Sequence, residues 1–223
     1  MKKGLLFQAI GKFAAGVGLL GAMLFIPAGT WKYPNGWLFC GLLFIPMLIL
    51  GAVLFFKAPE LLRKRLASQE KEPAQKQVIG VSLLMFIGGF VVAGLDFRFG
   101  WSQLPDWAVT AASVLLLMSY GAYAEVMREN VYLSRTVEVQ EGQQVIDTGL
   151  YGIVRHPMYM ATVVLFLSIP LVLGSLPAFV IFLIYPVLLV KRIRNEEAVL
   201  EAGLPGYQAY QKKVRYRLIP FIW

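Results

Sequence analysis

One stretch of this chain gathers residue types that suit small-molecule chemistry. It reads Gly149-Leu150-Tyr151-Gly152-Ile153-Val154-Arg155-His156-Pro157-Met158-Tyr159 and contains the only histidine. Further on, Arg192, Glu196 and Leu200 recur at every fourth position, so they share one helical face, with Glu197 adjoining. A guanidinium in such a place can grip both oxygens of a carboxylate. A carboxylate one turn away can accept hydrogen bonds from an ammonium or hydroxyl group. Tyr151 and Tyr159 supply ring faces for a cation or a flat heterocycle. Each feature also has a bland reading. An Arg–Glu pair one turn apart is commonly a helix-surface ion pair, and a lone histidine is commonly a capping or interfacial residue. Likewise, Tyr207, Tyr210 and the Val214-Arg215-Tyr216-Arg217 ending suit an interfacial anchor on anionic lipid.

The elements that must hold these residues are apolar. A bilayer core of about 30 Å takes about 20 apolar residues of helix. Leu5–Ala28, Gly36–Phe56, Val78–Leu95 and Trp107–Met127 each meet that length. A longer region, Tyr159–Val190, is interrupted at Leu173-Gly174-Ser175-Leu176-Pro177, where Gly and Pro punctuate a helix. The spacing predicts an all-α polytopic membrane protein of about six transmembrane segments, the last two forming a helical hairpin; one long kinked helix in place of the hairpin is the alternative. The opening Met-Lys-Lys and apolar run resembles a signal peptide, but the run exceeds the roughly 7–15 residues of such a region. An uncleaved first span is the expectation.

Composition agrees. Of 223 residues, 58% are hydrophobic and 15% charged, with a mean hydropathy of +0.64. These values exclude a disordered chain, a nucleic-acid-binding tail and a disulfide scaffold. Cys40 is the only cysteine, so neither an intrachain disulfide nor a His/Cys metal cluster can form. Eighteen of the 21 Lys and Arg fall on alternate sides of the six segments, together with both ends of the chain. Positive charge marks the cytoplasmic side. The expected topology therefore has cytoplasmic N- and C-termini, with Arg128–Pro157 and Lys191–Trp223 on the cytoplasmic face.

Those two stretches hold the polar chemistry. Arg128–Pro157 is too long for an idle connection. Within it, Val137-Glu138-Val139-Gln140 alternates like a strand and Asp147-Thr148-Gly149 carries turn chemistry. A helix from Lys191 should end near Gly203-Leu204-Pro205-Gly206. The organisation is then a four-span membrane region, 1–127, followed by a catalytic region, 128–223. Asp96 and Glu125 lie near span ends and read as interfacial carboxylates. Broken helices do not recur in two corresponding halves, which weighs against a transporter.

The run from Gly149 to Tyr159, joined to Arg192-xxx-Glu196-Glu197-xx-Leu200, Gly206-Tyr207-xx-Tyr210 and Ile219-Pro220, resembles the isoprenylcysteine carboxyl methyltransferase family. The resemblance covers roughly Val131–Trp223. It implies a membrane-embedded methyltransferase that uses S-adenosylmethionine (SAM), with a cytoplasmic cofactor pocket built from the 128–157 loop and the C-terminal helix. Gln143, Gln144, Val145 and Ile146, with Gln140 before them, match the segment that forms part of that pocket. Tyr151 matches the tyrosine of the turn. His156, Pro157, Met158 and Tyr159 match the cofactor-contacting run, Glu196 a cofactor-binding glutamate, and Arg192 an arginine assigned to the substrate. Arg155 and Glu197 are supporting candidates; no metal is implied. Gly-Leu-Tyr replaces the commoner Gly-Pro-Tyr, Ala161 stands where Gly is frequent, and Leu204-Pro205-Gly206 replaces a Phe-Gly pair. None of these departures removes a charged or hydrogen-bonding residue. Pro157 also suits a helix start, and the free N–H groups there suit the cofactor carboxylate.

The acceptor implied is lipid-like, an isoprenylcysteine-type carboxylate reached from the bilayer of a bacterial inner membrane. Alternatives are a phospholipid N-methyltransferase or small-thiol S-methyltransferase, a nicotinamide-dependent sterol-reductase-like protein, and a non-catalytic membrane scaffold or transporter. An amine acceptor would require a base, for which Glu197 or Tyr159 are candidates. No nucleic-acid partner is implied, and the sequence does not set the oligomeric state.

Overall fold

A computed structural model describes residues 2–67, 73–133 and 139–223 of the chain. Among them there is no strand; nine α-helices and one 3₁₀ turn account for the regular structure. Helices α1 (Lys2–Ala28), α2 (Pro34–Lys57), α4 (Pro73–Phe99) and α5 (Asp106–Glu129) contain the four expected apolar runs. Prolines open several of them. Pro34, Pro59 and Pro157 stand at the first helical positions of α2, α3 (Pro59–Ala67) and α6 (Pro157–Val172), where the missing N–H has no partner to lose. The short helix α3 was not anticipated, because its sequence is polar and basic and carries no span signal.

The interruption at 173–177 is present. Helix α6 ends at Val172, Gly174 takes φ +79°, and Ser175 caps α7 (Leu176–Phe182) by accepting the Ala178 N–H. A break at Leu183 then leads into α8 (Ile184–Gly203), and Gly206 precedes α9 (Tyr207–Lys213). Among the described residues, five helical stretches are long and apolar enough to cross a bilayer: Gly4–Ala28, Pro34–Lys57, Val78–Phe99, Asp106–Glu129 and Leu176–Gly203. Helix α6 is apolar but shorter, with 16 residues and about 24 Å of rise. Residues 134–138 of the strand-like segment lie outside the described residues, while Val139 and Gln140 are irregular.

One core joins the helices. Leu20 and Leu24 of α1, Met85 and Phe90 of α4, Leu116 of α5, and Ile169, Phe182 and Ile193 of α6–α8 belong to a single buried cluster. Glycine permits the tightest crossings. A Cβ at Gly94 would stand 2.5 Å from the Leu24 carbonyl, and one at Gly89 would stand 2.3 Å from the Phe182 ring. Outside this core, many large apolar side chains are exposed, among them Phe7, Ile26, Phe56, Leu84 and Val187. In water such a surface would aggregate. It suits an integral multi-pass membrane protein, whose helices face lipid.

Helices α6 and α8 run antiparallel through specific contacts. Tyr185 donates to Thr162 Oγ1 at 2.9 Å, and two turns along α8 Arg192 meets Tyr159. This pairing brings the start of α6 beside the polar half of α8.

Candidate functional site

A cleft opens where α5, the 3₁₀ turn Gly149–Gly152, α6, α8 and α9 converge. Its cavity volume is about 100 Å3, smaller than the roughly 300–1,000 Å3 of typical small-molecule sites. The loop before the turn supplies Gln143, Gln144, Val145 and Ile146 to its wall; Tyr151, Arg155, His156, Met158 and Tyr159 follow, and Arg192 and Glu196 come from α8. Three of the residues singled out in the sequence do not line it. Gln140 instead fixes the loop. Its side-chain amide donates to the Tyr132 carbonyl at 2.6 Å, and its N–H donates to Gln143 Oε1 at 2.9 Å. Pro157 is buried at the first position of α6, and Glu197 is buried behind the wall.

Tyr159 links the two charged residues of α8. Arg192 Nε donates to the Tyr159 hydroxyl at 2.8 Å, and that hydroxyl donates to Glu196 Oε2 at 2.5 Å. The guanidinium also lies 5.8 Å from the centre of the Tyr159 ring. Glu196 remains a quarter exposed. The cleft thus presents a cation and a carboxylate one helical turn apart, each anchored to one phenol.

His156 and Arg155 are held from behind by Glu197. Arg155 Nε donates to Glu197 Oε1 at 2.7 Å, His156 Nε2 lies 3.2 Å from the same oxygen, and Arg217 Nε donates to Oε2 at 2.6 Å. Arg155 Nη1 also donates to the Val214 and Arg215 carbonyls at 2.8 and 2.9 Å. The N–H groups of Arg155 and His156 donate to the carbonyls of Tyr216 and Arg217 at 2.8 and 2.9 Å. A buried guanidinium and carboxylate are tolerable because nearly every polar atom has a partner. With this side occupied, the other imidazole nitrogen of His156 is 4.0 Å from Glu196, too far for a hydrogen bond.

Sequence reasoning left several wall residues unassigned: Asn130, Tyr132, Leu133, Val199, Leu204, Tyr207 and Tyr210. Tyr207 and Tyr210 carried a signal, standing four and seven residues past the end of α8 in a Gly-Tyr-xx-Tyr pattern. Asn130 carried none; only the fold brings its amide within 2.8 Å of the Tyr151 hydroxyl. The phenols of this wall stay neutral. Burial pushes Tyr151 up to about 12, opposed by the Asn130 hydrogen bond and assisted by the Glu196 charge. Burial likewise raises Tyr207 and Tyr210, with the Glu197 charge adding to the rise at Tyr207 and Tyr151 to that at Tyr210. Tyr210 donates to the Tyr151 carbonyl at 2.8 Å, closing the wall.

Comparison with known proteins places this region. Residues 110–202 match the model of the isoprenylcysteine carboxyl methyltransferase (ICMT) family. The Delta(14)-sterol reductase TM7SF2 of Mus musculus is 34% identical over 91 residues, covering 40% of this chain and 22% of that protein. The Delta(14)-sterol reductase of Methylotuvimicrobium alcaliphilum is 24% identical over 136 residues, covering 54% of this chain and 32% of that protein. The chain therefore spans about a fifth to a third of the length of the curated relatives it matches.

Proposed function

We propose, taking the methyltransferase match over residues 110–202 as premise, that the chain is a SAM-dependent methyltransferase acting on the carboxylate of a lipid-like acceptor. The observation that carries this reading is the pairing of Arg192 and Glu196 through the Tyr159 hydroxyl in one cleft. The residues present fit the cofactor. Glu196 is an acceptor for an ammonium or ribose hydroxyl; Gln143 and Gln144 offer amides; Tyr151, Tyr207 and Tyr159 offer neutral ring faces; and the start of α6 offers unpaired N–H groups to a carboxylate. When bound, SAM supplies a methyl group on a cationic sulfur, which suits aromatic rather than basic surroundings.

In this mechanism Arg192 orients the acceptor carboxylate with its guanidinium, and Tyr159 fixes the rotamer of Arg192 and the position of Glu196. The new bond forms between the carboxylate oxygen and the methyl carbon as the carbon–sulfur bond breaks. No proton needs to move, because the acceptor is already ionised. The buried tyrosine wall excludes water. An amine acceptor would need a base, and Glu197 is ill placed for it, being engaged by Arg155, His156 and Arg217 outside the cleft lining. This favours the carboxylate over N-methylation.

We place the cleft on the cytoplasmic face of a bacterial inner membrane. Region 1–127 forms the membrane base, and α6 with its flanks makes the sixth crossing. Because the sterol reductases are matched too, a reductase is the second reading. Thermal stabilisation of the detergent-purified protein separates the two. SAM or its demethylated product should raise the midpoint and NADPH should not; stabilisation by NADPH alone would replace the methyltransferase reading. Labelled SAM incubated with native membrane extract should deliver label to a base-labile lipid ester.

A further inference from the structure

We infer that a groove between α1, α2 and α3 is a binding site for an anionic phospholipid, separate from the cleft and independent of its reaction. The groove has a volume of about 600 Å3 and shares no lining residue with the cleft. Its walls are apolar, with Ile10 and Phe13 from α1, Leu48 and Phe55 from α2, and Leu66 from α3. Such walls suit an acyl chain. Gly51 forms part of the wall, and a Cβ there would meet nothing within 4 Å, so the space extends over it.

Among the described residues one charged side chain lines the groove, Lys12, set about three turns into α1. Its ammonium donates to the Leu66 carbonyl in the last turn of α3 at 2.5 Å. That contact uses one of three N–H donors. A cation in such an apolar setting is costly and calls for a counter-charge, yet no acidic residue among the described ones lines the groove. A phosphodiester beside Lys12 with its acyl chain on Phe55 and Phe13 satisfies both the charge and the walls. A zwitterionic head would bring its own cation against Lys12.

The test uses the full-length protein in detergent, offered phosphatidylglycerol and phosphatidylcholine in equal amounts, with bound lipid counted by native mass spectrometry. One ammonium at a lipid phosphate predicts retention of phosphatidylglycerol about fivefold over phosphatidylcholine. Lys12→Gln should bring that ratio to about one. Gly51→Phe should reduce retention of both lipids by filling the groove, while far-ultraviolet circular dichroism and the size-exclusion profile stay unchanged. Equal retention of the two lipids by the unaltered protein overturns the inference without recourse to any variant. So does a preference that survives Lys12→Gln, unchanged binding in a folded Gly51→Phe variant, or displacement of the lipid by a prenylated methyl acceptor.

Discussion

Arg155 and Glu197 form a buried ion pair of 2.7 Å, with less than a tenth of either side chain exposed. The pair ties the start of α6 to the middle of α8, and Arg217 joins it from the segment after α9. Removing one partner of such a pair strands the other charge, at a cost of about 3–5 kcal/mol. Glu197→Ala should therefore lower the thermal midpoint far more than Glu60→Ala, whose carboxylate is exposed. Equal midpoints for the two variants would show that the cluster does not hold the cleft wall.

Tyr159→Phe keeps the ring and deletes the hydroxyl that joins Arg192 to Glu196. Hydrogen bonds to charged groups carry about 1.5–3 kcal/mol, so kcat/KM for methyl transfer should fall roughly 10- to 150-fold. The circular dichroism spectrum should be unchanged. Full activity would remove Tyr159 from its positioning role.

Glu196 and Arg192 should separate in binding experiments. Glu196→Gln should weaken SAM roughly tenfold or more while leaving the acceptor KM close to its original value. Arg192→Ala should raise the acceptor KM and leave SAM affinity within about twofold. Calorimetry for SAM and initial rates for the acceptor provide the two readouts. If Arg192→Ala altered neither methyl transfer nor acceptor binding, the carboxylate grip would lie elsewhere.

Tyr151 makes the site sensitive to alkali in a definite direction. Its pKa is about 12 in the folded protein, against about 10 in an unfolded chain. The folded state thus favours the neutral phenol. Its contribution to stability is complete below pH 10 and is lost as pH rises through about 12. Tyr151→Phe should flatten the fall in stability across that window. In absorbance titration, the phenolate signal missing from the variant should be the one that appears near pH 12.

Much of this was legible in the sequence because apolar length and helical spacing are local signals. The four early spans fall inside α1, α2, α4 and α5, and the Gly-Pro interruption ends α6 where the punctuation lies. Helix α3 escaped notice because a short interfacial helix lacks a long apolar run. Of the last two expected segments, α7 with α8 forms the long apolar stretch and α6 has 16 residues, so length and composition mark five candidate spans among the described residues. At the cleft, the spacing from Arg192 set Glu196 apart from Glu197 but did not show what Glu197 binds. The helical step of about 100° turns one carboxylate to the cleft and the other to Arg155 and Arg217. The same limit applies to Asn130, whose partner Tyr151 lies 21 residues away.

The ties between residues 155–156 and 214–217 also impose an order on biosynthesis. Arg155 and the Arg215 carbonyl it binds are 60 positions apart. At roughly 5–20 residues per second, that gap amounts to about 3–12 s of translation. Glu197 follows Arg155 by 42 positions, but until the interval ends the guanidinium lacks its backbone acceptors and the mouth of α6 has no strap behind it. A ribosome pause before codon 214 would lengthen the life of a nascent chain whose early helices are finished and whose catalytic wall is still open. Such a chain is the form that a membrane protease or insertion chaperone would meet.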